Sequence, residues 1–159
     1  MDYVWSPWRY RYVSQAGPGD ECIFCKAAAG ERDEENYILH RAARNFVILN
    51  RFPYTNGHLM IAPYEHVPTL DQAAEATLAE MMSLARRAEG CLREIYRPQG
   101  LNLGMNLGEC AGAGVAGHIH MHVLPRWRGD ANFMTVIGET RVLPEDLATT
   151  YEKLRQAWR

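Results

Sequence analysis

Three observations predict an α+β fold on one antiparallel sheet of about five strands. Short β-rich runs come in pairs, one long run of helical periodicity separates the pairs, and a second helical run closes the chain. The first strands are Tyr37-Ile38-Leu39, Asn45-Phe46-Val47-Ile48-Leu49 and His58-Leu59-Met60-Ile61-Ala62. Residues 50–57 carry a proline and an Asn-Gly pair, so the second and third runs read as a hairpin. Thr69 and Gln72 have capping-box spacing and are expected to start the long helix. Its apolar stripe is Leu70, Ala74, Leu78, Met81, Ala85, Ala88, Leu92 and Ile95, with Glu89 and Arg93 paired on the opposite face. Pro98 and Gly100 end it. Leu101–Asn106 alternates as a strand, residues 117–124 form another, and residues 133–137 a further extended piece. Pro144 is expected as the first residue of the closing helix, which runs towards Trp158.

The 159 residues suit one domain, with no internal repeat and no linker to divide it. Seventeen Lys and Arg against nineteen Asp and Glu leave a net charge of −2, which argues against a protein that grips nucleic-acid backbone. No apolar run approaches the roughly 20 residues of a membrane span. Residues 1–20 lack the apolar stretch of a secretion signal, so a cytoplasmic protein is expected. Under that expectation the Cys22-x-x-Cys25 pair suggests metal or redox chemistry before a disulfide.

Residues 118–124 read His-Ile-His-Met-His-Val-Leu. In a strand, His118, His120 and His122 share one face while Ile119, Met121 and Val123 share the other, free to pack on a helix. The outer two backbones are roughly 13 Å apart, so one metal ion is more easily reached by two of these imidazoles than by three. A neutral imidazole is also a competent nucleophile and base near neutrality, and both uses are chemically sensible here. The preceding stretch, Asn106 to Gly117, holds four glycines, whose conformational freedom lets successive backbone N–H groups converge on an anion without a basic patch.

His118-Ile-His120-Met-His122-Val-Leu followed by Pro125-Arg126 resembles the signature of the histidine-triad (HIT) superfamily of nucleotide hydrolases and transferases. Phe46–Pro53 and Gly57–Pro63 resemble its first hairpin, and Asn106–Gly117 its phosphate loop, so the likeness spans about residues 22–128. Residues 1–20 are then an N-terminal arm and 129–159 a C-terminal extension of a single HIT-like domain. Trp5-Ser-Pro-Trp-Arg9 and Gly129–Phe133 are most like the bacterial branch related to diadenosine tetraphosphate phosphorylases and the fragile-histidine-triad type.

The resemblance implies a HIT-like fold pairing as a homodimer, with the long helix and its neighbouring strand in contact, and a nucleotide substrate, adenine preferred. It makes His120 the nucleophile that attacks an α-phosphorus, His122 the contact to phosphoryl oxygens and leaving group, and His58 a support behind the triad. Asn50 matches a ribose ligand, and Asn106 the phosphate-loop amide. Zinc-containing relatives imply that Cys22, Cys25, His66 and His118 hold a structural zinc; no organic cofactor is expected. One departure stands out. Where many members carry Gln-Ser or Gln-Thr, the loop here runs Gly112-Ala113-Gly114, so backbone N–H groups, Arg126 or Trp127 are expected to compensate for the missing hydroxyl.

The resemblance leaves hydrolysis and phosphorolysis of dinucleoside polyphosphates open, beside cleavage of adenosine phosphoramidates. A nucleotide-binding module with little catalysis fits the loop departure, and a catalytic metal on His118 and His120 is a further alternative. The aromatic and cationic residues 3–12 are read as an anchoring arm, His40 as an exposed strand-end residue and Cys91 as packing.

Overall fold

The computed structural model describes residues 22–130 and 143–158; the expectations for the arm at 1–20 and the extended piece at 133–137 fall outside them. In chain order the elements are α1 (Ile23–Ala29), α2 (Asp33–Asn36), β1 (Ile38–Arg41), β2 (Asn45–Leu49), β3 (Leu59–Pro63), α3 (Glu75–Tyr96), β4 (Gly100–Met105), β5 (Met121–Arg126) and α4 (Leu147–Ala157). The strands form a five-stranded antiparallel sheet in the order β1-β2-β3-β5-β4. The expected β2–β3 hairpin is present, in register from Asn45 opposite Pro63 to Leu49 opposite Leu59.

Period-two alternation explains how the sheet is covered on both faces. Val47, Leu49, Leu59, Ile61, Ile119 and Val123 point to the α3 side, where they meet Met81, Leu84, Ala85, Ala88 and Leu92, with Tyr151 and Leu154 of α4 closing the layer. Phe46, Ile48, Met60 and Ala62 point the other way and pack under Phe24 and Ala27 of α1. Among the described residues no helix is long and apolar enough to cross a membrane.

Several elements depart from the sequence reading. The capping box does not form: α3 starts at Glu75 after Ala74, and the Ala74 N–H and Thr77 hydroxyl reach the Glu65 carboxylate at 3.5 and 3.4 Å. A side chain nine residues upstream thus does the work assigned to Thr69, whose hydroxyl is buried without a partner. Leu70 and Ala74 accordingly leave the helical stripe and are exposed. The Arg93–Glu89 pair is present at 2.9 Å, and the helix ends with Arg97 in the left-handed region before Pro98. The closing helix begins at Leu147, not Pro144, because Asp146 accepts from the Thr149 N–H at 2.8 Å. His40 sits inside β1, half-buried with its ring 5.8 Å from that of Trp158, and is not an exposed strand end. Cys91 is core packing, as expected; burial, foremost, pushes its thiol up to about 11.

Candidate functional site

Extended backbone carries the histidine run across the sheet, but the paired strand begins only at Met121. His118 and His120 precede it, held by the Ile119 N–H donating to the Val67 carbonyl at 2.8 Å. Alternation survives: Ile119 and Val123 join the α3 core, while His118 and His120 turn to the α1 side. That side is not open to water. Phe24 of α1 lies over both rings, at centroid distances of 5.2 Å to His118 and 4.8 Å to His120, and the two histidines are 1% and 4% exposed.

Each ring's nitrogens are sorted by a backbone group. The His120 Nδ1 lies 2.9 Å from the His118 carbonyl; a carbonyl only accepts, so Nδ1 carries the proton and Nε2 the lone pair. Burial, foremost, holds its pKa below the usual histidine value, which keeps the ring neutral. His118 is sorted the opposite way: Nε2 faces the Pro63 carbonyl at 2.9 Å, so the Nδ1 lone pair points elsewhere. At the next position, the Tyr54 backbone N–H donates to His58 Nδ1 at 3.1 Å. His58 Nε2–H then donates to His122 Nδ1 at 2.8 Å, which places the His122 proton on Nε2. The His120 and His122 rings stand edge to face, 4.9 Å between centroids.

The His118 lone pair points into a cluster. Its Nδ1 is 3.4 Å from Cys22 Sγ, 3.6 Å from Cys25 Sγ and 3.3 Å from His66 Nδ1, and Cys25 Sγ is 3.3 Å from that same His66 nitrogen. All four donor atoms lie within 4.8 Å of one another, so the group could hold a metal ion. Tetrahedral bonds of about 2.05 Å to nitrogen and 2.3 Å to sulfur demand edges of about 3.4 Å between nitrogens and about 3.6 Å between nitrogen and sulfur. The observed distances fit those edges, and two thiolates with two imidazoles are the donor set of a closed structural site. Gly117, just before the run, packs beside this cluster: a Cβ there would stand 3.4 Å from His66 Nε2, an ordinary van der Waals contact.

The other expected site residues divide. Asn50 lies beside His58, its amide nitrogen 3.4 Å from Nδ1, and its own oxygen accepts from the Phe52 N–H at 2.9 Å. The Asn106 amide donates to the Gly112 carbonyl at 3.2 Å and so braces the glycine loop. Within that loop the amides of Gly112 and Ala113 bond to the carbonyls of Glu109 and Gly108, and Ala113 is buried. Arg126 and Trp127 are turned to structural partners: Arg126 clasps Asp130 and Asn102, and the Trp127 indole donates to the Tyr96 carbonyl. The sequence reading passed over Phe24, although its place inside Cys-Ile-Phe-Cys marks it, and over the Pro63 carbonyl and Tyr54 N–H. Backbone groups leave no signature in residue type.

The HIT domain family model matches residues 31–129. The AP-4-A phosphorylase of Mycobacterium tuberculosis (strain ATCC 25618 / H37Rv) is 36% identical over 166 aligned residues, covering 99% of this chain and 85% of that protein. Among solved structures, a Zn-bound histidine triad family protein from Mycobacterium smegmatis superposes with a TM-score of 0.71 at 27% identity, covering 87% of this chain and 93% of that one. A hypothetical histidine triad nucleotide-binding protein from Sulfolobus tokodaii strain7 gives 0.69 at 27% identity, with coverages of 86% and 91%.

Proposed function

Because the chain belongs to the HIT domain family and is a nucleotide hydrolase or phosphorylase, we propose that it cleaves dinucleoside polyphosphates of the diadenosine tetraphosphate kind through a nucleotidyl intermediate on His120. The observation that carries this reading is the 2.9 Å contact from His120 Nδ1 to the His118 carbonyl, which presents the Nε2 lone pair. Nε2 forms a bond to the α-phosphorus as the bond from that phosphorus to the bridging oxygen breaks. The remaining nucleotide departs as a phosphate anion, its oxygen accepting from His122 Nε2–H. The positive charge left on the His120 ring is stabilised by its Nδ1–H bond to His118. Inorganic phosphate or water then attacks the phosphorus and the bonding pair returns to Nε2; with water, one proton passes to solvent.

Cys22, Cys25, His66 and His118 would hold zinc, whose chemistry here is structural: it ties the start of α1 to the entry of the histidine run. His58 orients His122, Asn50 is assigned to the ribose and Asn106 to bracing the phosphate loop. With Gly112 and Ala113 bonded inside the loop, the amides from Gly114 onward are assigned to the phosphate chain. Arg126 and Trp127 contribute to the loop-side wall and do not supply the missing hydroxyl's function. Residues 1–159 form one domain, paired as a cytoplasmic homodimer through the edge strand β4 and its neighbouring helix; Leu103 on that strand is exposed.

The test is a panel of dinucleoside polyphosphates and adenosine phosphoramidates, with adenine compared against other bases, run with and without inorganic phosphate. Phosphate-dependent release of a nucleoside diphosphate marks a phosphorylase. Water-dependent release of a monophosphate marks a hydrolase. Turnover confined to phosphoramidates, or tight binding with no acid-labile adenylylated histidine in alkali-quenched samples, overturns the reading.

A further inference from the structure

The C-terminal segment lies beyond residues 31–129, the stretch that the family model matches, yet one of its residues reaches the turn behind the histidines. That turn, Tyr54-Thr55-Asn56-Gly57, is the source of the N–H that sorts His58. It is fastened at three points. The Thr55 hydroxyl donates to the Pro125 carbonyl at 3.3 Å. Gly57, at φ +74°, is pressed against α3, where a Cβ would come within 2.9 Å of Leu92 and 3.0 Å of the Tyr96 ring. The Asn56 amide donates to the Glu145 carbonyl at 3.0 Å.

Glu145 therefore holds the turn from above, and its side chain holds the floor. Its carboxylate accepts from the Tyr96 hydroxyl at 2.6 Å and the Thr150 hydroxyl at 2.7 Å, and pairs with Lys153. Burial pushes this carboxyl up, but the bonds from Lys153, Tyr96 and Thr150 outweigh it and hold its pKa below the usual carboxylate value. One residue thus fixes both the ring under Gly57 and the amide beside it. Loosening either lets the turn lift, and the Tyr54 N–H then no longer dictates which nitrogen of His58 bears the proton.

We propose that Glu145 is a positioning residue for the His58–His122 pair: through Asn56 and Tyr96 it locks the 54–57 turn, so that His58 donates to His122 and His122 presents Nε2–H to the departing phosphate. The effect on turnover rests on the function proposed above, whereas the effect on the imidazoles does not. Two readouts therefore separate the two claims. In the zinc-loaded full chain, ¹⁵N spectra of the imidazoles report the tautomer of His58 and His122, and diadenosine tetraphosphate turnover reports kcat and KM.

Asn56→Ala and Glu145→Ala are expected to mix the His58 tautomers and to lower kcat about tenfold, a fraction of what a well-placed acid–base group supplies, with KM within about twofold. Glu145→Gln, which can still accept from Tyr96 and Thr150, is expected to restore a single tautomer and most of kcat. Leu84→Ala, a core change in α3, controls for lost stability and is expected to keep the tautomer and kcat. If both alanine variants retain a single His58 tautomer and kcat within twofold of the unaltered chain, the inference is overturned. If the unaltered chain does not cleave the substrate, the proposed function falls and the tautomer readout alone decides the role of Glu145.

Discussion

His118 and His120 stand two residues apart on the same face, under the same phenyl ring of Phe24, and differ in what they offer. The Pro63 carbonyl occupies Nε2 of the first and leaves Nδ1 for the cysteine cluster. The His118 carbonyl occupies Nδ1 of the second and leaves Nε2 for phosphorus. Residue type and burial are alike; the position of one backbone acceptor separates a candidate metal ligand from a candidate nucleophile. The two regions are also linked in series, since the metal ligand's own carbonyl sorts the nucleophile. The metal cluster should therefore tolerate loss of the nucleophile, while the nucleophile should suffer from loss of the cluster.

The largest break in this comparison is His120→Ala. Turnover of diadenosine tetraphosphate should fall on the order of 10⁴-fold or more, as when a nucleophile is deleted, while metal analysis still finds one zinc per chain. Loss of zinc together with activity would show that the regions are not separable in this direction. Cys22→Ser strikes the other side. Zinc content should drop, and stability should fall by about 4 kcal/mol where free zinc had exceeded its dissociation constant a thousandfold, as read by chemical denaturation. Turnover should fall as well, but less than with His120→Ala; unchanged kcat would deny the series link.

A smaller effect is expected at Arg41, which clasps the far end of α1 by donating to the carbonyls of Ala28 and Gly30 at 2.7 Å each and pairing with Asp33. Arg41→Met should cost about 2 kcal/mol, on the scale of hydrogen bonds from a charged donor, and speed zinc release to a chelator. An unaltered release rate would confine Arg41 to general stability. The smallest effect belongs to His40, a half-buried histidine with neither role. Its pKa is held below 6.5, by burial first and then by Arg87, against the pull of Glu80. The unfolded chain therefore binds more protons in the window just below 6.5. The stability due to a neutral His40 is full above that value and declines as pH falls through the window. His40→Gln should flatten the fall in Tm between about pH 7 and about pH 5; an identical slope would remove His40 from the titration.

The β2–β3 hairpin, the long helix and the four-residue metal cluster were legible because each rests on side-chain chemistry at local spacing or on a motif resemblance. The stripe Met81, Ala85, Ala88, Leu92 is buried as its period requires. The start of α3 was not legible: Thr69 and Gln72 satisfy the local rule, but Glu65 folds back across a bend that no local pattern announces. The same holds at Pro144, where the Asp146 cap prevailed, and at His40, whose partner Trp158 is 118 residues away in sequence. Arg126 looked available for phosphate because Asp130 and Asn102 converge on it only once the chain has folded.

The sequence by itself determined that three histidines share a face, that glycines precede them, and that a cysteine pair stands far upstream. Period-two alternation and residue chemistry carry that information without reference to the rest of the chain. Only the tertiary structure decided which nitrogen of each ring is used. The deciding groups are the carbonyls of Pro63 and His118 and the N–H of Tyr54, which every backbone contains and which only folding brings to within hydrogen-bond distance.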